Sequence, residues 1–126
     1  MTVQATGNVG INTTTPNSTL QVTGSISLPY VVDSTASYSL GASDYTIRIF
    51  GTASTIYFPD ATTCPGRIYT LIGSFGIPGT VALSTQPGQY IYDDVTNTHY
   101  ESTGISASMR ISVQSDGTGG WIVIGN

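Results

Sequence analysis

The chain has 126 residues, of which only 8% are charged, and its formal net charge is −4. With three arginines and no lysine it lacks the basic surface that nucleic-acid binding requires. A single cysteine, Cys64, excludes an intrachain disulfide, and residues 1–4 show neither the basic nor the apolar region of a secretory signal peptide.

Residues 1–28 are predicted to form a segment distinct from residues 29–126. Their apolar residues are sparse and lie between Gly, Thr, Asn and Ser, so one copy cannot offset its ordering entropy by burial. Two interpretations stay open: a disordered leader, or a segment that becomes ordered against copies of itself or a partner. In the second, three copies around one axis would place an apolar stripe inside. The predicted stripe is Val9, Ile11, Leu20, Val22 and Ile26.

Residues 29–126 are predicted to be all-β, because Thr, Val, Ile and Tyr dominate and helical periodicity is absent. Residues 45–50 and 109–114 alternate, which predicts Met109, Ile111 and Val113 on the inner face. Residues 121–124 are continuously apolar, as in a strand covered on both faces. Weaker strand candidates are residues 55–58, 67–72, 80–83, 89–92 and 98–102. Gly, Pro and Asp turns separate them, which favours a sandwich or barrel-like domain.

Residues 68–92 carry no charge and are long enough to span a bilayer. Four glycines, two prolines and two glutamines interrupt them, so we expect strands and turns there rather than membrane insertion.

Aromatic and acidic residues are densest in the span from Tyr90 to Tyr100. Rings with hydrogen-bonding rims bind glycan and protein surfaces well. The alternative, in which these tyrosines pack across strands or at subunit contacts, stays open. The predicted receptor-binding residues are Tyr90, Tyr92, Asp93, Asp94, His99 and Tyr100.

Catalysis is not expected. Glycosidases need two carboxylates about 5–10 Å apart, and the neighbours Asp93 and Asp94 would point to opposite sides of a strand. Asp94 and Glu101 across a hairpin are the one pair whose geometry would fit. The remaining acids in turn contexts are expected to bind backbone; they are Asp44, Asp60 and Asp116.

Nucleophilic and metal chemistry also lack their residues. There is one histidine, no G-x-S-x-G motif, and no histidine close to Cys64 in the sequence. We therefore predict no cofactor and no metal, with an oxygen-ligand calcium site at Asp93 and Asp94 as an open alternative.

The N-terminal segment contains a motif. Residues 7–16 (GNVGINTTTP) and 20–26 (LQVTGSI) resemble the G-N-V-G-I-G-T-x-x-P…L-x-V-x-G-x-I segment of phage tail fibres and long bacterial surface proteins. Asn12 replaces the usual glycine, and asparagine also tolerates left-handed backbone. The resemblance implies a piece of fibre that precedes a head domain or a self-cleaving chaperone domain.

The remainder is similar to small β domains at the ends of phage and virus fibres. The matching residues are Tyr38, SDYTI at 43–47, FPDA at 58–61, GRIY at 66–69, SDG at 115–117 and WIVIG at 121–125. The resemblance implies a homotrimer that acts in attachment, without catalytic residues. Residues 73–105 carry no part of this pattern, so receptor contacts are expected there.

These observations predict an all-β homotrimer with a fibre-like segment, residues 1–28, and a β-sandwich or jelly-roll-like head domain, residues 29–126. The predicted function is that of a virion fibre or spike protein, made in the host cytoplasm, which attaches to a host surface glycan or protein. The N-terminal segment would contact other virion proteins. The alternative is a capsid decoration or head-fibre protein whose main partner is another virion protein, and a polysaccharide-trimming enzyme is the third reading.

Overall fold

A computed structural model of the chain describes residues 1–5, 7–51, 55–74, 79–93, 97–100 and 102–125, with the backbone alone for Tyr100, Ser102 and Thr103. The described residues form fourteen strands and one short 3₁₀ helix, Ala61–Thr63. The fold is all-β, as predicted. No helix in the described part of the chain has the length and apolarity to cross a membrane.

The first three strands form a sheet of their own. They are β1 (Thr2–Val3), β2 (Val9–Ile11) and β3 (Leu20–Val22). Strand β2 lies in the middle, antiparallel to β1 and parallel to β3.

The other strands form two larger sheets. The seven-stranded sheet contains β4 (Tyr30–Asp33), β6 (Thr46–Ile49), β8 (Ile68–Gly73), β10 (Tyr90–Asp93), β11 (Thr98–Tyr100), β13 (Arg110–Ser115) and β14 (Gly120–Gly125). The four-stranded sheet contains β5 (Ser37–Ser39), β7 (Thr55–Tyr57), β9 (Thr80–Ser84) and β12 (Ser102–Ser106). Their spatial orders are β11-β10-β14-β13-β8-β6-β4 and β12-β9-β7-β5.

From β4 to β9 the chain alternates between the two large sheets. Strands β4, β6 and β8 therefore pair in parallel on one side, and β5, β7 and β9 pair in parallel on the other. A jelly roll consists of antiparallel strands. The two sheets share one core as in a sandwich, but the jelly-roll-like connectivity expected from sequence is wrong.

The buried core lies between the two large sheets. Alternate residues of each strand point inward, because successive side chains of a strand face opposite sides. The fully buried large side chains are Ile47, Ile49, Ile56, Phe58, Tyr69, Leu71, Val81, Leu83, Ile91, Ile105, Val113 and Trp121.

Eight predicted strands correspond to strands of the structure, namely β6–β11, β13 and β14. Two orientations differ from the expectation. Met109 precedes β13 in a turn that its N–H closes by donating to Ser106 O, and its side chain is 45% exposed. Strand β14 was expected to be covered on both faces, yet Ile124 points outward and is 51% exposed.

Candidate functional site

Three of the six predicted receptor-binding residues, Tyr90, Tyr92 and His99, come together on β10 and β11, at one edge of the seven-stranded sheet. Tyr92 lies directly opposite His99 in the antiparallel ladder. Because Ile91 points into the core, Tyr90 and Tyr92 point to the outer face of the sheet. The edge position leaves His99 exposed.

Three rings pack together on this outer face. The ring centroids of Tyr92 and His99 are 4.5 Å apart, and those of Tyr90 and His99 are 4.7 Å apart. Both distances lie in the range of favourable aromatic contacts. We call Tyr90, Tyr92 and His99 the aromatic cluster; the histidine ring lies against both tyrosines.

Both tyrosine hydroxyls are held in place. Tyr92 Oη donates a hydrogen bond to Asn97 Oδ1 at 3.0 Å, and Tyr90 Oη donates to Asp116 Oδ2 at 3.3 Å. Burial raises the pKa of Tyr90, and the negative charge of Asp116 raises it further. The cluster therefore presents aromatic surface with oriented polar groups at its rim.

The turn between β13 and β14 supports the Tyr90 end of this cluster. Asp116 Oδ1 accepts hydrogen bonds from the backbone N–H groups of Thr118, Gly119 and Gly120 at 2.7, 3.0 and 2.8 Å. Burial opposes ionisation of Asp116, but these N–H donors outweigh it, so its pKa is lowered.

Gly120, like Asp116, supports the aromatic cluster, and the sequence patterns did not indicate either residue as part of the site. A Cβ atom at this position would lie 2.5 Å from Asp116 Oδ2 and 2.7 Å from the Tyr90 ring. The absence of a side chain there lets Tyr90 reach the Asp116 turn. The S-D-G sequence signals the turn, but its contact with a tyrosine 26 residues away has no local signal.

The structure describes only some of the other residues that were predicted to belong to the site. Asp93 ends β10, opposite Thr98, and is half-buried. The backbone of Tyr100 pairs with Ile91. Asp94, Glu101 and the Tyr100 side chain lie outside the described residues, so the Asp94–Glu101 pair and the calcium alternative remain sequence hypotheses.

The acids predicted to bind backbone in turns do so. Asp44 Oδ2 accepts from Gly41 N–H at 2.7 Å, and Asp60 Oδ1 accepts from Thr62 N–H at 2.9 Å. Cys64 is buried beside Asp60. Among the described residues, no group of three His, Cys, Asp or Glu side chains forms a metal site.

Four of the five residues of the predicted N-terminal stripe share one face of the small sheet. Direct cross-strand pairs, which lie on the same face, join Val9 to Leu20 and Ile11 to Val22. Val3 lies opposite Val9 and extends this face. Leu20 is 61% exposed, and Ile26, which lies beyond the sheet, is 63% exposed. We call Val3, Val9, Ile11, Leu20 and Val22 the N-terminal apolar face.

Comparison with known proteins gives no match to any family model, any curated protein or any solved structure. The two surface features of the chain that bear on function are the aromatic cluster and the N-terminal apolar face.

Proposed function

We propose that the protein is a homotrimeric fibre or spike protein of a virion, and that it attaches to the host cell surface through the aromatic cluster. The observation that carries this proposal is the packing of His99 against Tyr90 and Tyr92 on the outer face of an edge hairpin. The stalk and head sequence resemblances direct the proposal towards fibres of phages and viruses.

The chemistry of the cluster favours a glycan or a polar protein surface as the ligand. Tyrosine and histidine rings offer apolar faces together with polar atoms, and rigid aromatic side chains lose little conformational entropy on binding. Asn97 and Asp116 orient the two hydroxyls before a ligand arrives. Preorganisation of this kind lowers the entropic cost of binding.

The trimeric state is supported by the N-terminal apolar face. Five apolar residues lie on one side of a three-stranded sheet, and the buried residues described in its span are Gly10 and Pro16. A sheet of this size needs another layer over its apolar side. Three copies around an axis supply that layer to one another and close the assembly.

Trimerisation would also determine the binding strength. Three identical sites on one rigid head act by avidity, so a weak site per chain gives firm attachment to a repetitive cell surface. The same geometry explains how a chain with 8% charged residues can adhere without strong electrostatic attraction.

The test uses the full-length chain on a printed glycan array, together with the variant Tyr92→Ala. Loss of an aromatic anchor is expected to cost about 1–2 kcal/mol per site, a roughly 5- to 30-fold loss of affinity. Over three sites on an array the signal should almost disappear. The matched control is Tyr57→Ala, since Tyr57 is a partly exposed tyrosine on the four-stranded sheet.

Equal loss in both variants, or retention of binding by Tyr92→Ala, would contradict the assignment of the cluster. Absence of glycan binding by the unaltered chain, together with its detection on the capsid by electron microscopy, would favour the decoration protein instead. Light scattering that gives a mass of 13.1 kDa at micromolar concentration would contradict the trimer.

A further inference from the structure

The outer faces of the two large sheets differ in composition. On the four-stranded sheet the outward residues are mostly small and polar; those described are Ser37, Ser39, Thr55, Tyr57, Thr80, Ala82, Ser84, Gly104 and Ser106. On β4, β6, β8, β13 and β14 half of the outward residues are aliphatic or aromatic. They are Tyr30, Val32, Thr46, Arg48, Ile68, Thr70, Ile72, Arg110, Ser112, Gln114, Ile122 and Ile124, and we call this set the outer face.

Several side chains of the outer face are in solvent in the single chain. Tyr30 is 56% exposed and Val32 is 54% exposed, on the edge strand β4. Ile124 is exposed near the centre of the sheet, on a strand whose continuous apolar sequence is typical of a strand covered on both sides. The outer face therefore has the composition of a covered surface.

An exposed apolar stripe joins the outer face to the N-terminal segment. Ile26, Leu28, Tyr30 and Val32 occur at every second position, and all four are about half exposed or more. The stripe begins four residues after β3 and ends in β4. Along the chain, exposed apolar side chains therefore continue from the N-terminal segment into β4.

Charge favours a second copy of the chain as that partner. Two of the three arginines, Arg48 and Arg110, flank Ile72 in adjacent strands of the outer face. None of the twelve outer-face residues is acidic. The chain as a whole is acidic, with a net charge of −4, so another copy can bring carboxylates to these guanidinium groups.

We infer that the outer face is a self-association surface of the head domain, where it packs against neighbouring copies of this chain. The five strands of the outer face, at about 4.8 Å spacing and with four to six residues at about 3.3 Å, give a projected area of roughly 400 Å². That is about half of the about 800 Å² that each partner buries in a stable interface, and the stripe from Ile26 to Val32 adds to it. The inference rests on the proposed trimer, and the interface does not include the aromatic cluster, whose Tyr92 lies beside Ile122 at the border of the outer face.

The test compares two double variants of the full-length chain by light scattering and sedimentation over a concentration series. Val32→Lys with Ile124→Lys adds two cations to the outer face. Tyr57→Lys with Ala82→Lys adds the same charge to the four-stranded sheet. All four positions are exposed in the single chain, so neither variant should prevent folding.

We expect the outer-face variant to sediment as a 13.1 kDa monomer. If it still assembles, the protein concentration at which half of the chains are assembled (the assembly midpoint) should rise by at least about 100-fold. The reason is that six uncompensated charges would enter the interfaces of one trimer. The control variant should remain trimeric. If the first variant misfolds by circular dichroism, Val32→Ser with Ile124→Ser repeats the test without new charge.

The outcomes separate this inference from the proposed function. A trimer that is unaffected by the outer-face changes overturns the self-association surface and leaves the N-terminal trimer intact. An unaltered chain that is monomeric overturns both. If the outer-face variant is monomeric and still binds the same glycans with lower apparent affinity, this result supports both the interface and an independent aromatic site.

Discussion

The head and the N-terminal segment are built from the same kind of hydrogen-bonded strand, but they differ in what lies behind the strands. Among the residues that the structure describes, every member of the buried hydrophobic core lies within the span from Leu40 to Trp121. In the described part of residues 1–28, the buried residues are Gly10 and Pro16, and the larger apolar side chains remain partly or largely exposed.

Backbone hydrogen bonds and burial of apolar side chains contribute differently to the stability of the two regions. Backbone hydrogen bonds largely replace hydrogen bonds to water, so each adds little net free energy. Burial of apolar side chains supplies the main driving force. The head contains its own driving force, whereas the N-terminal sheet contains a pattern that requires a partner.

Removal of the centre of the head core should have the largest effect on stability. Trp121 is fully buried, and its ring centroid lies 5.1 Å from that of Phe58 and 5.3 Å from that of Tyr69. Trp121→Ala should lower the free energy of unfolding by about 3–5 kcal/mol, through lost burial and the cavity that remains.

Urea denaturation of dilute protein measures this change, with Tyr57→Ala as the exposed aromatic control. A loss below 1 kcal/mol in Trp121→Ala would mean that the head does not depend on the core between its sheets. The N-terminal strands have no core of their own, so we expect them to contribute little to this transition.

A smaller effect is expected where a glycine lets two elements touch. In Gly120→Ala the new methyl group would meet Asp116 Oδ2 and the Tyr90 ring, so one of them must move. Overpacking of this kind costs about 1–3 kcal/mol. The control is Gly125→Ala on the same strand, where the nearest atom, Ser112 Cβ, lies at an ordinary 3.7 Å.

Thermal and urea unfolding of the two variants give the comparison, and glycan binding provides a second measurement. Gly120→Ala should reduce binding as well as stability, since it displaces Tyr90 from the aromatic cluster. Equal stability of the two variants would show that Tyr90 moves away from Gly120 at little cost.

The strands with strict alternation could be predicted from the sequence. In β6, Ile47 and Ile49 point into the core as the pattern indicates. The proximity of Tyr92 and His99 also followed from local sequence, since a short antiparallel hairpin brings them opposite each other. The Asp116 turn was predicted from its Asp-Gly sequence.

The remaining features depend on contacts between distant parts of the chain. Strands β4, β5 and β12 were not predicted, because short Ser- and Asp-containing stretches have no distinctive period. The parallel pairs Tyr30–Thr46 and Thr46–Thr70 join positions 16 and 24 residues apart, for which local propensity gives no signal. The link from Tyr90 to Asp116 was missed for the same reason.

The smallest effect on head stability is expected from a glycine substitution in the N-terminal segment. Gly10 is buried in β2, where a Cβ atom would meet the carbonyl oxygen and the methyl group of Thr13. Because one of these contacts is with backbone, Gly10→Ala should force the turn after β2 to shift and weaken the pairing of β2 with β3. If the head folds by its own core, its free energy of unfolding should change by less than about 0.5 kcal/mol, as for a surface substitution. The assembly midpoint should instead rise about 10-fold or more, because the N-terminal apolar face loses its alignment in all three copies.

Urea unfolding at low concentration and sedimentation at high concentration measure the two effects separately. A loss of head stability similar to that in Gly120→Ala would place residues 1–28 in the cooperative unit of the head, so that the difference in burial between the two regions would not correspond to a difference in folding.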